Sequence, residues 1–277
     1  MSHNVSEGPS KDLTGPELQG ERTMALIKTS NPALSENTFS NVAPQAGELA
    51  GAGPMTLSGT VNKTGILLLC VVATASFTWH QFLVARNPGD VMPEMLAGLF
   101  GGFVMAMITV FKKEWSPVTA PIYALLEGLV LGGLSAVFDA RYPGIGIQAV
   151  GLTFGTLAVL LIAYSSGMIK VTDKFRLGII AATGGVAVFY LLEMVLGLFG
   201  FQFTSVNGNG VIGIGFSLIV VAIAALNLVL DFDFIEQGVQ RGAPKYMEWY
   251  GAFGIIVTLV WLYLEILRLL SKMRSRN

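Results

Sequence analysis

The sequence predicts an all-α, polytopic membrane protein with about seven transmembrane helices. Apolar residues make up 53% of the chain and charged ones 13%, while mean hydropathy is +0.64, a composition that does not keep a monomer in water. From Gly65 onward, apolar runs of roughly 20 residues recur, the length a helix needs to cross the hydrocarbon layer. Short polar connections separate them.

Residues 1–60 come first. They are rich in Ser, Asn, Pro, Gly and acids, with apolar residues too scattered to bury, and read as a disordered polar N-terminal tail. No apolar stretch lies in the first 25 residues, so no cleavable secretory signal is expected and the first span must act as its own insertion signal. The tail holds three of the 17 basic and six of the 18 acidic side chains, leaving 14 basic and 12 acidic on residues 61–277. That near balance gives no reason to propose nucleic acid as a partner.

Residues 61–277 form the transmembrane domain. After the polar approach Asn62-Lys63-Thr64, spans are predicted at 65–85, 94–111, 117–138, 147–167, 177–199, 211–231 and 251–271. Connections such as Arg86 to Asp90, Arg141 to Gly144 and Val206 to Gly210 are short enough to make consecutive helices antiparallel neighbours in one bundle. Three Gly-x-x-x-Gly pairs, Gly98/Gly102, Gly128/Gly132 and Gly151/Gly155, mark places where backbones could approach closely.

Loops on the side of the N-terminus carry Lys63, Lys112, Lys113, Lys170, Lys174, Arg176, Arg241 and Lys245, against Arg86 and Arg141 in the opposite loops. The positive-inside rule therefore places the N-terminus in the cytoplasm. Lys272, Arg274 and Arg276 at the C-terminus count against this, which leaves open six spans with a re-entrant segment.

An ionisable side chain within the hydrocarbon layer costs several kcal/mol unless it finds a partner or water. Five acids fall there: Glu127, Glu193, Asp231, Asp233 and Glu265. Asp231 and Asp233 differ in direction by roughly 200° on a helix, so they do not share one interior seam. Asp233 and Glu265, from consecutive helices, are candidates for a carboxyl pair sharing a proton or cation, because two buried like charges do not both ionise easily. The bland alternatives are an interfacial acid at a helix end for Asp233 and an (i, i+3) bridge to Arg268 for Glu265. Glu127 has no Lys or Arg within a turn, which calls for an interhelical partner, a proton or a polar cavity.

Several classes are excluded by missing residues. A zinc protease needs His-Glu-x-x-His, which does not occur, and two histidines as distant as His3 and His80 do not build a His-rich metal site. No lysine lies between Gly251 and Ser271 to carry retinal. His80, with Trp79, ends the first span at an aromatic-belt position and gives no core general base for a hydrolase. The lone Cys70 reads as a packing residue. No enzyme activity, no metal site and no tightly bound cofactor are expected.

Thr29-Ser-Asn-Pro-Ala-Leu-Ser-Glu-Asn-Thr-Phe39, Gly59-Thr-Val-Asn-Lys-Thr-Gly65, Tyr123-Ala-Leu-Leu-Glu-Gly-Leu-Val-Leu-Gly-Gly133, Leu230-Asp-Phe-Asp-Phe-Ile-Glu236 and Trp261-Leu-Tyr-Leu-Glu265 occur in one order along the chain. Together they resemble the transmembrane Bax inhibitor motif family, in particular its bacterial Bax inhibitor-like members. The resemblance implies seven helices with the last one central, a bacterial inner (plasma) membrane, and a pH-sensitive passive calcium leak. It also implies that the leak is governed by an acid pair, matched here by Asp233 and Glu265, with glutamate where aspartate is the more usual second member. On that reading raising the pH would remove the shared proton and open the pathway, with Ca²⁺ and protons as partners. Glu127, Asp231 and Glu193 would be further pore or structural acids. Two other readings stay open: a non-transporting regulator whose tail engages a membrane protease or stress-response partner, and a proton-coupled calcium exchanger.

Overall fold

The computed structural model describes residues 53–85, 87–201 and 204–276. Of the tail predicted to be disordered over residues 1–60, residues 1–52 lie outside the described residues, and its last four residues, 57–60, are helical. Among the described residues there are seven long helices: α1 (Leu57–Ala85), α2 (Met92–Phe111), α3 (Ser116–Arg141), α4 (Ile145–Ser165), α5 (Asp173–Leu198), α6 (Val211–Gln240) and α7 (Met247–Arg276). Each is long and apolar enough to cross a membrane, as hydropathy predicts.

Helix ends differ from the predicted spans because caps, not hydropathy, terminate a helix. α1 begins at Leu57, eight residues before the predicted span, where Thr56 Oγ1 accepts a bond from the Gly59 N–H. That is the position of an N-cap. α5 starts at Asp173 behind Thr172, whose hydroxyl accepts from the Phe175 N–H. α6 runs on through Asp231, Asp233 and Glu236 to Gln240, nine residues past its predicted end, and stops where Gly242 turns at φ +65°. There the Ala243 N–H bonds the Gly238 carbonyl at 3.1 Å and the Gly242 N–H bonds Val239 at 3.0 Å, the pairing that closes a helix on a left-handed glycine.

Packing follows the small residues. A Cβ on Gly128 would overlap the Val71 carbonyl and one on Gly132 the Ala75 carbonyl, so these glycines let α1 lie backbone-close on α3. Gly98 does the same for α2, with the Leu126 carbonyl 2.5 Å from where its Cβ would stand. The third predicted pair is corrected: among the described residues nothing lies within 4 Å of a Cβ on Gly151 or Gly155, and these positions of α4 are exposed. Glycine there opens surface and packs nothing.

α7 is the central helix. It contacts α1, α3, α4 and α6, and Tyr250, Phe253, Ile256, Leu262 and Leu267 on it are almost wholly buried. The chain leading into α1 is fastened to the start of the same helix and to the turn before it: the Met55 N–H bonds the Ala243 carbonyl of the α6–α7 turn at 2.7 Å, and the buried carboxylate of Glu248 on α7 receives the Thr56 N–H and hydroxyl, both at 2.8 Å, with Lys63 and Lys245 as ion partners.

Candidate functional site

Three of the five acids in the spans, Asp233, Glu265 and Glu193, fall on one side of the bundle, between α5 and the α6–α7 pair. The buried residues of α5 are Arg176, Ile179 and Val186. Continuing their alternation of three and four residues adds Thr183, Tyr190 and Glu193, so these six positions form one stripe with a seven-residue repeat. Four of the six are polar, and each polar one is bonded.

At the end shared with the α6–α7 turn, Arg176 Nη2 donates to Asp233 Oδ2 at 2.5 Å, and Gln237 Nε2 donates to the same oxygen at 2.7 Å. Next, Asn227 Nδ2 on α6 donates to Thr183 Oγ1 at 2.8 Å. Deeper again, Tyr190 Oη donates to Glu265 Oε1 at 3.0 Å, and Arg268 Nη1 reaches both carboxylate oxygens at 3.0 and 3.2 Å and the Tyr190 oxygen at 2.6 Å. At the far end Asn207 donates to Glu193. From Arg176 to Glu193 the stripe rises roughly 25 Å, most of the hydrocarbon thickness.

Asp233 and Glu265 do not form the predicted pair. Asp231 accepts a 2.6 Å bond from the Thr258 hydroxyl, which fixes the register of antiparallel α6 and α7. Glu265 lies seven residues beyond Thr258 toward one end and Asp233 two residues beyond Asp231 toward the other. The carboxyls are therefore nine residue rises, roughly 13 Å, apart along the axis. Among the described residues each is held by its own arginine. The (i, i+3) bridge from Glu265 to Arg268 that spacing allowed is present; Arg176 is a partner that spacing could not supply, since it stands 57 residues from Asp233.

The other acids divide. Asp231 is fully buried and faces the central helix, so of the two acids closing α6 it is the interior one. Glu193 lies at the open end of the stripe. Glu127 on α3 makes no hydrogen bond among the described residues, and its Oε2 stands 3.1 Å from where a Cβ of Gly102 on α2 would be. It belongs to a different interface.

The opposite end holds a buried cation that hydropathy passed over. Lys272 is 6% exposed, and its three N–H bonds go to the Val206 carbonyl at 2.9 Å, the Gly213 carbonyl at 3.2 Å and Ser217 Oγ at 2.9 Å. Arg274 donates to the Pro143 carbonyl at 2.6 Å and to Gln148 at 2.9 Å. Two of the three C-terminal cations thus fasten α7 to neighbouring loops and helices.

Comparison with known families matches residues 31–275 to the Bax inhibitor 1 like family. The chain belongs to that family. No curated protein and no solved structure matches it. In this Bax inhibitor 1 like protein the match takes in all seven helices and begins within the N-terminal segment, at Asn31.

Proposed function

We propose that this protein is a passive cation leak, with calcium as cargo, whose pathway is the polar seam between α5 and the α6–α7 pair. The observation that carries the reading is the run of bonded polar side chains from Arg176–Asp233 through Thr183–Asn227 to Tyr190–Glu265–Arg268. Polar residues kept at this cost inside a bilayer mark ion pathways and proton relays. Carboxylate, amide and hydroxyl oxygens are the ligands hard cations accept. Transport, not catalysis, is the activity such a seam supports.

With each carboxylate ion-paired, the seam is closed to cations, because the arginines occupy the anionic positions and repel a second positive charge. Protonation of Asp233 or Glu265 removes the counter-charge and frees the arginine to extend toward the headgroups. The sign is therefore the reverse of that expected from a shared-proton pair: stability of the closed seam falls as pH falls, and the leak rises. The basic end, with Lys63, Lys112, Lys113, Lys170, Lys174, Arg241 and Lys245, faces the cytoplasm of a bacterial inner membrane on this reading.

Calcium entry into liposomes containing the purified protein, scanned across pH with and without a proton gradient, tests the proposal. Flux should need no proton gradient and should rise on acidification, and Asp233→Asn should conduct with a flattened pH profile. A wild-type profile in both Asp233→Asn and Glu265→Gln would sink it. Flux strictly driven by a proton gradient would assign an exchanger. Absence of flux would favour a regulator, a reading supported by the fastening of the segment before α1 to Glu248 at the start of α7.

A further inference from the structure

On the side of α7 away from the seam, α1, α3, α4 and α7 enclose a cavity of about 320 Å³. α1 and α4 meet at one end, where the Trp79 ring lies 2.8 Å from the place a Cβ on Gly146 would take. Beyond that point lining residues of both helices are exposed, which opens the cavity sideways between them. Its floor is Leu131 of α3 with Ile256 and Leu259 of α7. Its rim is Val72, 52% exposed, and Val150, 44% exposed, which continue into the apolar outer faces of α1 and α4.

The lining offers little to an ion or to water. Tyr263 Oη and Ser135 Oγ bond one another at 2.5 Å, Ser135 also donates to the Leu131 carbonyl at 2.5 Å, and the Thr153 hydroxyl donates to the Ala149 carbonyl at 2.8 Å. With three of its four lining hydroxyls engaged and the fourth, Ser76, on an exposed residue, the cleft is lined mainly by hydrocarbon, and an apolar cavity of this kind takes an apolar guest. The cleft extends over nine residues of α4, from Gly146 to Phe154, and twelve of α1, from Leu68 to Trp79. That is roughly 12 to 16 Å along the bundle axis, parallel to the chains of the surrounding lipid.

We propose that this cleft is a binding site for one lipid acyl chain, which enters between α1 and α4 and lies against α7. Continuity of the rim with the lipid-facing surface decides the occupant: the phase that already covers Val72 and Val150 is the one the cleft opens onto. A bound chain fills the gap that α1, α3 and α4 leave against α7, opposite the face that carries Glu265 and Thr258. The site does not depend on the leak reading, since it can be filled or empty whether or not the seam conducts.

Trp79 supplies the probe. The full-length protein in detergent micelles is titrated with a phosphatidylcholine brominated on its acyl chain, and tryptophan fluorescence is followed. Quenching should show a component that saturates at one equivalent of lipid, vanishes in Trp79→Phe, and falls at least twofold in Ala75→Leu and in Val150→Phe, which fill the cleft from opposite walls. Gel filtration and thermal unfolding of both filled variants establish that they are folded. Val150 is exposed, so its variant folds even if Ala75→Leu does not. Quenching that rises linearly, without saturation and equally in every variant, would mean annular lipid only and overturn the site. Saturable quenching untouched by the two filling substitutions would put the lipid elsewhere and overturn it equally. A dimer in light scattering that the same substitutions dissociate would assign the cleft to a second copy of the chain.

Discussion

α7 and α5 are both apolar, both long enough to span, and close in mean hydropathy over their best windows, 2.0 in each case. They are held in opposite ways. Two thirds of the α7 window is buried (67%), against 11% of the α5 window. α7 is fixed by side chains packed on four neighbouring helices, whereas α5 rests chiefly on α6 and is joined to the bundle by polar bonds placed two turns apart. In a bilayer the hydrophobic effect does not drive helix association, because lipid is as apolar as leucine. Close packing and interhelical hydrogen bonds do. The helix attached by a few polar bonds is therefore the one that protonation can loosen, while the one attached by packing is not.

The contrast breaks most sharply under truncation. Leu262→Ala, at a position with no exposed surface on α7, should cost about 2–5 kcal/mol as a buried cavity. Leu192→Ala, 51% exposed on α5, should stay within about 0.5 kcal/mol. Reversible unfolding in mixed micelles measures both. Comparable losses would mean that α5 is packed against something the bundle itself does not provide.

A smaller effect sharpens the reason α5 stays in place. Arg176→Gln and Asp233→Asn each remove one charge of a partly buried pair, with 11% and 18% of the two side chains exposed. Both variants should lower stability, and the double variant should lose less than the two singles together, with a coupling of about 0.5–3 kcal/mol. Partial exposure puts the expected value in the lower half of that range. Independent, additive losses would show that the pair does not hold α5. Because a carboxylate must be ionised to pair, the coupling should also shrink as pH falls, in the direction of the increased leak.

The sequence carried the helices because twenty-residue apolar runs have one stable form in lipid, and it carried the central position of the last helix only through the family resemblance. It did not carry the ends of α1 and α6, whose polar outer turns hydropathy treats as loop. Glycine spacing is legible only where a backbone stands opposite: Gly128 and Gly132 meet α1, while Gly151 and Gly155 meet nothing within 4 Å. The five acids were legible one by one, since an ionisable group in hydrocarbon is visible in any sequence. Their pairing was not. Glu265 finds Arg268 one turn away, but Asp233 finds Arg176 on another helix, and the offset of Asp233 from Glu265 follows from the Thr258–Asp231 register. One signal in the sequence does point to the seam: the seven-residue spacing of Arg176, Thr183 and Tyr190 places three polar groups on one face of α5.

Glu127 gives the smallest expected effect and tests the same distinction at a second interface. From sequence alone it called for an interhelical partner, a proton or a polar cavity, and had it a partner on a neighbouring helix, glutamine would keep the bond while leucine would leave that partner unsatisfied at a cost of about 1–3 kcal/mol. Its carboxyl instead lies beside Gly102 with no hydrogen bond among the described residues, and the α2–α3 contact there is made by close backbone approach at Gly98 and by Val130. That contact resembles the packing of α7 and not the polar attachment of α5, so removing the acid should not weaken it. Glu127→Gln and Glu127→Leu should both unfold within about 0.5 kcal/mol of the parent, with leucine the more stable of the two because no lone polar group then remains in the span. Thermal unfolding in one detergent compares them directly. A Leu variant markedly less stable than the Gln variant would mean that Glu127 bonds across the α2–α3 interface, and that this interface, like the α5 seam, is held by polar contact.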